Sequence, residues 1–193
     1  MSAPAPDQSP KASLRRLYRS RRKAEVARFS PAEREVQERS LAAIAAPLLK
    51  LAAPVASYAA MRDEVDPRWI APVSGPHALP RTTDYGLMFH LSAWEDMVPG
   101  AMGIPEPPAS APIVTPRLLL VPLLAATLAG TRLGQGGGYY DRTLKALRAH
   151  DNIVAVGIAW DVQIADFLPH DPWDEQLDWI ATPTRLVECA ANR

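Results

Sequence analysis

The sequence is organised around one glycine-rich stretch, residues 132–142, which reads Arg-Leu-Gly-Gln-Gly-Gly-Gly-Tyr-Tyr-Asp-Arg. An apolar run at residues 118–121, closed by Pro122, precedes it and is typical of a buried strand. Leu144 and Leu147 follow it, three residues apart, as on one face of a helix. The stretch is therefore predicted to be a loop that joins a buried strand to a helix.

The composition of this loop favours phosphate binding. Glycine permits positive φ angles and a close approach of the backbone to a ligand, and a glycine-rich loop that enters a helix aims several N–H groups at one point, where phosphate binds. Arg132 and Arg142 add positive charge there, and Asp141 could hold a metal ion bound to the phosphates. A plain strand-to-helix turn is the alternative, but three consecutive glycines are entropically costly to keep for a turn alone.

Two common nucleotide-binding motifs do not match these glycines. A P-loop requires Lys-Ser or Lys-Thr after the last glycine, and a dinucleotide fingerprint would need its third glycine at Tyr139. The stretch instead resembles the Arg-Leu-Gly-x-Gly-x-Gly-Tyr-Tyr-Asp signature of the 5-formyltetrahydrofolate cyclo-ligase family, which it matches from Arg132 to Asp141. The resemblance implies a three-layer, Rossmann-like α/β sandwich with a mainly parallel sheet, of the cyclo-ligase type.

The resemblance also implies an activity and the residues that carry it. We expect an ATP- and Mg²⁺-dependent conversion of 5-formyltetrahydrofolate to 5,10-methenyltetrahydrofolate, in which the formyl oxygen is phosphorylated and N10 then attacks. Arg132, Tyr139 and Tyr140 are the expected catalytic residues, and Gln135 and Tyr139 also face the folate. The ATP-binding part of the loop is expected to consist of Arg132, Leu133, Gly134, Gln135, Gly136, Gly137, Gly138, Tyr139 and Tyr140.

A strongly basic helix is predicted at residues 11–28, with Leu14, Leu17 and Tyr18 on its apolar face. A solvated basic face is one interpretation, and RNA contact is another, although no aromatic interleaving supports the latter. Cyclo-ligases begin with a Lys-x-x-Leu-Arg element that contacts ATP, and residues 11–15 match it. The resemblance therefore assigns Lys11 and Arg15 to ATP, one helical turn apart.

Acidic residues downstream are assigned to the folate and the metal. Glu64 follows a strand predicted at residues 54–60, where α/β proteins place ligands. The sequence alone favours a surface carboxylate, but the family has a pterin-binding Glu at this point, flanked here by Ala59 and Met61. The five residues 103–107 resemble the family's Gly-Ile-x-Glu-Pro loop, which lies against the folate. The resemblance therefore adds Glu106 to the expected folate-binding residues. The segment at residues 170–178, called the closing segment below, resembles the His-Asp-containing end of the family's sequences. This resemblance assigns Asp174 to Mg²⁺, together with Asp141.

One departure from the family is clear. Where cyclo-ligases have Ala-Phe-Asp or Gly-Phe-Asp between the strand and the glycine loop, this chain has Ala125-Ala126-Thr127. If the missing acid orders the metal or an arginine, turnover should suffer, which leaves a non-catalytic nucleotide- or folate-binding relative as an alternative function.

Composition bounds the remaining expectations. With 193 residues, 48% hydrophobic content and a net charge of zero, we expect a single domain at residues 11–185 between tails at 1–10 and 186–193. The lone Cys189, the lack of a signal peptide and the lack of a long apolar run predict a cytoplasmic protein that does not contact membranes.

Its expected partners are ATP and 5-formyltetrahydrofolate rather than nucleic acid, and the protein is expected to be a monomer. Further strands are expected at 77–80, 85–90, 153–159 and 177–182, and short helices after Asp66-Pro67 and at 161–167. Another helix is expected to start with Ser30 as its N-cap, Pro31 at N1 and Glu33 at N3.

Overall fold

A seven-stranded sheet forms the centre of the protein in its computed structural model, which describes residues 9–50, 53–70, 77–100 and 103–189. The strands, numbered along the chain, are β1 (Val55–Ala56), β2 (Ala78–Thr82), β3 (Leu87–Leu91), β4 (Val98–Pro99), β5 (Pro105–Glu106), β6 (Leu118–Pro122), β7 (Ala125–Ala126), β8 (Arg132–Leu133), β9 (Val154–Ile158), β10 (Trp179–Ala181) and β11 (Leu186–Glu188). The main sheet has the order β11-β10-β9-β6-β1-β2-β3, while β4 pairs with β5 and β7 with β8 in two small hairpins.

The sheet is parallel except at its two edges. Strands β10, β9, β6, β1 and β2 pair in parallel, and β3 and β11 pair antiparallel with their neighbours. The carboxyl ends of parallel strands lie at one edge of a sheet, so the segments that follow β1 and β6 emerge side by side. The predicted mainly parallel α/β fold is confirmed, and this edge positions the candidate site.

Helices cover both faces of the sheet and produce three layers. They are α1 (Pro10–Val26), α2 (Pro31–Leu49) and α3 (Tyr139–Arg148). Leu118 and Leu120 of β6 join the core cluster that contains the apolar face of α2. Leu119 and Val121 point to the opposite face and join the cluster that contains Leu144 of α3. This alternation is why the run at 118–121 is apolar at every position: both faces of the strand are buried.

Helix α1 packs beside the sheet, against the β7–β8 hairpin. Leu14 and Tyr18, one turn apart, contact a small core formed by Leu124, Ala125, Leu133, Ala165 and Leu168. Leu17, which was predicted on the same face, is 43% exposed. Because Leu133 leads directly into the glycine-rich loop, this core fixes α1 next to the loop.

Several predicted boundaries are corrected by the structure. The predicted N-terminal tail includes Pro10, but Ser9 caps α1 and Pro10 begins it, while residues 1–8 lie outside the described residues. The predicted C-terminal tail is wrong at Leu186–Glu188, which form β11 because their backbone pairs with β10; residues 190–193 lie outside the description. The predicted helix at 161–167 is one 3₁₀ turn, Asp161–Gln163, since Ile164 forms a β-bridge with Ala126 and the N–H of Ala165 donates to the carbonyl oxygen of Ala126.

The two predicted helix starts are confirmed. Ser30 and Glu33 form a reciprocal capping box at α2, and Asp66 caps a 3₁₀ turn at Pro67–Trp69. Helix α2 passes through Pro47 and ends at Leu49. Among the helices of the described part of the chain, none combines the length and the apolarity that crossing a bilayer requires.

Candidate active site

The glycine-rich loop lies between β8 and the first turn of α3. Helix α3 begins already at Tyr139, so Tyr139, Tyr140 and Asp141 all belong to its first turn. Gly138 caps it with φ +65° and Gly136 has φ +106°, angles that residues with a side chain rarely adopt. The loop therefore places exposed backbone at a helix N-terminus, an arrangement that suits anions.

Basic side chains of α1 lie directly on this loop. Arg15 donates from Nε to the carbonyl oxygen of Gly134 at 3.1 Å, and its guanidinium lies beside Gly136. Arg19, one helical turn later, donates from Nη2 to Oε1 of Gln135 at 2.8 Å. The loop and α1 thus present two guanidinium groups and a helix N-terminus to the same space.

The start of α1 is tied to the closing segment by two ion pairs. Nζ of Lys11 lies 2.7 Å from Oδ2 of Asp171 and 2.5 Å from Oδ2 of Asp174. Partial burial acts to lower the pKa of Lys11, but the two carboxylates outweigh it and the pKa is raised. Burial likewise acts to raise the pKa of Asp174, but the Lys11 ammonium and the Asp171 N–H lower it overall. Both groups are therefore charged near neutral pH.

Arg132 and Asp141 form a second, more buried pair. The Arg132 side chain, only 5% exposed, donates from Nη2 to Oδ1 of Asp141 at 2.7 Å and from Nη1 to the carbonyl oxygen of Glu175 at 2.7 Å. The N–H of Glu175 also donates to Oδ1 of Asp141, at 3.1 Å. Burial lowers the pKa of Arg132, but guanidinium groups in proteins stay protonated. The pair therefore holds a buried guanidinium against a carboxylate in the first turn of α3.

Glu64 lies in the turn after β1, buried and ionically paired. Its Oε1 accepts from Nη1 of Arg22 at 3.3 Å, and its Oε2 accepts from the N–H of Met61 at 3.1 Å. Burial raises the pKa of Tyr140, and the negative charge of Glu64 raises it further. The turn after β1 and the start of α3 are therefore close enough for Glu64 and Tyr140 to interact electrostatically.

The carboxylates of the site suit a metal that arrives with phosphates. Within residues 9–50, 53–70, 77–100 and 103–189 there is no cluster of three or more His, Cys, Asp or Glu side chains able to hold a metal ion. Mg²⁺, however, is usually held by one or two carboxylates together with phosphate oxygens and waters, rather than by a cage of protein ligands. Asp141 and Asp174 are oxygen donors of this kind, 26% and 15% exposed.

Comparison with known proteins identifies the family. A model of the 5-formyltetrahydrofolate cyclo-ligase family matches residues 7–183. This chain belongs to that family. The fold agrees, because the solved structure of 5,10-methenyltetrahydrofolate synthetase from Aquifex aeolicus superposes with a TM-score of 0.76, at 27% identity, over 96% of this chain and 95% of that one.

Curated cyclo-ligases resemble parts of the chain. The enzyme of Escherichia coli K12 is 42% identical over 71 residues, which is 37% of this chain and 38% of that enzyme. The enzyme of Haemophilus influenzae is 35% identical over 102 residues, 51% of this chain and 54% of that enzyme. The matched stretches thus span about half, or less, of the curated relatives.

Several residues that the cyclo-ligase resemblance assigned are joined by contacts among α1, the glycine loop and the segment at residues 171–175, but Glu106 has other partners. It is buried in β5, where Oε1 accepts from the N–H of Thr82 at 3.0 Å and Oε2 lies 3.7 Å from Nη2 of Arg81. These contacts join β5 to the end of β2, and a folate contact of Glu106 stays a prediction. Ala59 is half-buried after β1 and Met61 is 37% exposed beside Glu64.

The departure from the cyclo-ligase pattern lies at a turn that closes without the missing acid. Ala125 and Ala126 form β7, and Thr127 begins the turn to β8. The N–H of Thr127 donates to the carbonyl oxygen of Thr131 at 2.9 Å, and that of Gly130 to the carbonyl oxygen of Thr127 at 2.9 Å. Backbone hydrogen bonds therefore close the turn of the hairpin that leads into the glycine loop.

Sequence reasoning missed two site residues on α1. Arg19 contacts Gln135, and Arg22 contacts Glu64, yet neither was distinguished from the other basic residues of the helix. The available signal was their spacing. Lys11, Arg15, Arg19 and Arg22 are four, four and three residues apart, which places them on one helix face in this cyclo-ligase family member.

Proposed function

We propose that this protein is an active 5-formyltetrahydrofolate cyclo-ligase, which converts 5-formyltetrahydrofolate and ATP to 5,10-methenyltetrahydrofolate, ADP and phosphate. The observation that carries the proposal is the placement of α1 along the glycine loop, with Arg15 on Gly134 and Gly136. Family membership and the structural similarity to the Aquifex aeolicus synthetase support it.

In this proposal the glycine loop and the cations around it hold the ATP triphosphate. The N–H groups of residues 134–138 and of the first turn of α3 point toward the phosphates, with Leu133 and Gln135 beside them. Arg15 and Lys11 bind the phosphate oxygens from the α1 side. Arg132 contacts Asp141 in the first turn of α3. Its buried guanidinium stabilises the negative charge that develops during phosphoryl transfer.

The chemistry transfers the γ-phosphoryl group to the formyl oxygen. The formyl oxygen is a poor leaving group, and its phosphorylation at the expense of the bond to ADP turns it into a phosphate. N10 then attacks the formyl carbon, its proton is lost, and phosphate leaves as the five-membered ring closes. The protein contributes positioning and charge stabilisation, with Tyr139 and Tyr140 walling the space between the two substrates.

Magnesium is part of the proposal, with Asp141 and Asp174 as its protein ligands. When bound, the ion neutralises phosphate charge during transfer. Oδ2 of Asp174 now accepts from Lys11 at 2.5 Å. A metal at Asp174 would compete with that ion pair, and the lysine ammonium would then be available to the phosphates. Lys11 and Asp174 would thus pair with each other in the ligand-free protein and bind phosphate and metal, respectively, when Mg-ATP is present.

Glu64 is proposed to bind the pterin ring. A carboxylate accepts two adjacent N–H donors, which a pterin offers. The position of Glu64, buried in the turn that follows β1 and close enough to Tyr140 to interact with it electrostatically, supports this role. The expected compartment is the cytoplasm, since the chain has a single cysteine, Cys189, which is free.

The test is an assay of product formation. Purified protein is mixed with 5-formyltetrahydrofolate and Mg-ATP, and the near-ultraviolet absorbance of the methenyl product is followed. The proposal predicts product in step with ADP, and loss of both in Arg15→Ala. Lys23→Gln, an exposed change on the same helix, is the matched control and should leave the rate unchanged. Thermal stabilisation by both ligands without product would instead indicate a non-catalytic binding relative.

A further inference from the structure

A buried arginine on α1 contacts the turn that carries Glu64. The side chain of Arg22 is 4% exposed. Its Nε donates to Oδ2 of Asp63 at 2.8 Å, and its Nη1 lies 3.3 Å from both Oε1 of Glu64 and the carbonyl oxygen of Leu123. A buried cation is costly unless its donors are used. Here they are used on three different acceptors, two of them in the Glu64 turn.

The turn itself is held in a strained conformation. Arg62 has φ +38°, an unusual value for a residue with a side chain. Arg34, from α2, donates to the carbonyl oxygens of Arg62 at 3.0 Å and of Glu64 at 2.7 Å. The N–H of Glu64 closes the turn on the carbonyl oxygen of Met61 at 2.7 Å. Backbone strain of this kind persists where the surroundings fix it, often at functional sites.

We propose that Arg22 is a positioning residue for the folate: it orients the Glu64 carboxylate and keeps it ionised for pterin binding. The inference rests on the proposed function of Glu64. Arg22 holds one carboxylate oxygen and Met61 the other, so the plane of the group is fixed before substrate arrives. Each oxygen retains a lone pair for the ligand.

The charges around Glu64 explain why an arginine is needed there. Burial raises the pKa of Glu64, and the charge of Asp63 acts in the same direction. The Met61 N–H and Arg22 act against both. Tyr58, which follows β1, and Tyr140 of α3 also interact electrostatically with the carboxylate, but burial raises their pKa values and they stay neutral. Arg22 is thus the cation that offsets burial, and without it Glu64 would protonate at higher pH.

The test is a double-mutant cycle on folate affinity. The dissociation constant of 5-formyltetrahydrofolate is measured, with a non-hydrolysable ATP analogue present, for the wild type, Arg22→Gln, Glu64→Gln and the double variant. Arg22→Gln should weaken binding about fivefold in the wild-type background and less than about twofold in the Glu64→Gln background, as expected for residues that act through one contact. Equal losses in both backgrounds would overturn the proposal. Lys23→Gln removes the same charge from an exposed neighbouring position and should change nothing.

The pH profile separates positioning from a structural role. In Arg22→Gln the acid limb of folate affinity should move up by about one pH unit, the size expected when an opposite charge beside a carboxyl is removed. A loss that is the same at every pH would contradict the proposal. Arg22→Lys restores the charge without the guanidinium fork and should return the acid limb to its wild-type position; it also serves if Arg22→Gln does not fold.

A ligand-free measurement keeps this inference separate from the proposed function. The carboxyl ¹³C resonance of Glu64, assigned by its loss in Glu64→Gln, is titrated in the wild type and in Arg22→Lys and Arg22→Gln. The midpoint should rise in Arg22→Gln and not in Arg22→Lys. A rise without folate binding by the wild type would sink the proposed function but retain the Arg22–Glu64 coupling. An unchanged midpoint would overturn the coupling itself.

Discussion

Replacing Gly136 by alanine tests the loop conformation on which the site depends. Gly136 has φ +106°, and an added Cβ would lie 3.4 Å from Cζ and Nε of Arg15. Backbone strain of this kind costs about 1–3 kcal/mol, so we expect Gly136→Ala to lower the free energy of unfolding by about 2 kcal/mol. For a chain of this size that corresponds to about 4–8 °C in Tm. The affinity for an ATP analogue should fall as well, because the strained backbone lies in the loop that we propose holds the phosphates.

Gly134→Ala is the matched control for stability. Gly134 has no atom within 4 Å of the added Cβ and does not adopt a left-handed φ. The same chemical change two positions away should therefore alter the free energy of unfolding by less than about 0.5 kcal/mol. Thermal and urea unfolding of the two variants, measured side by side, give the comparison. Equal stabilities of Gly136→Ala and Gly134→Ala would refute the described loop conformation.

Three further predictions follow from the site and the core. Asp141→Asn should abolish the Mg²⁺ dependence of nucleotide binding. The fold should survive, because the amide oxygen can still accept from Arg132. Nucleotide titrations with and without Mg²⁺ check this, and retained turnover would count against the metal assignment. Glu64→Gln should weaken folate binding by about 1–3 kcal/mol and leave ATP affinity nearly unchanged, since a charge-assisted contact becomes a neutral one; a comparable loss of ATP affinity would show that Glu64 is misassigned. Burial lowers the pKa of His77 to about 4, below the ~6.5 of the unfolded chain. As pH falls from about 6.5 to 4, the unfolded chain binds a proton on His77 before the folded chain does, so the free energy of unfolding should fall by about 3 kcal/mol over that window. Urea unfolding at several pH values should show a smaller decrease of this free energy in His77→Asn. The same decrease in His77→Asn and in the wild type would contradict the prediction.

The parts of the fold that sequence predicted are those with strong local signals. Residues 118–121 are apolar at every position because both faces of β6 are buried, and that pattern is visible without a structure. The capping box at Ser30 and Glu33 is likewise local. Strand β11 was missed because Leu186–Glu188 is short and only half-buried, and it is a strand through its pairing with β10. Such pairing depends on the rest of the sheet.

The same distinction applies to the candidate site. The glycine loop was recognisable because its composition is unusual, and Lys11 and Arg15 followed from a family motif. The partners of those cations were not predictable from spacing, since Lys11 pairs with Asp171 across 160 positions and Arg22 with Glu64 across 42. Only the fold brings α1, the turn after β1 and the closing segment together. What the sequence did contain was the periodicity of the α1 cations, a helical-face signal that a search for motifs passes over.

We propose that the glycine loop and its cations direct the γ-phosphoryl group of ATP onto the formyl oxygen. The direct measurement is the fate of that oxygen. 5-Formyltetrahydrofolate labelled with heavy oxygen in the formyl group is converted with Mg-ATP, and the released inorganic phosphate is analysed by mass spectrometry. Direct transfer predicts one labelled oxygen in each phosphate released with product, and a parallel decrease of labelled phosphate and methenyl product in Lys11→Ala. Unlabelled phosphate that appears at the full rate of product formation would contradict it, because the oxygen would then have come from water.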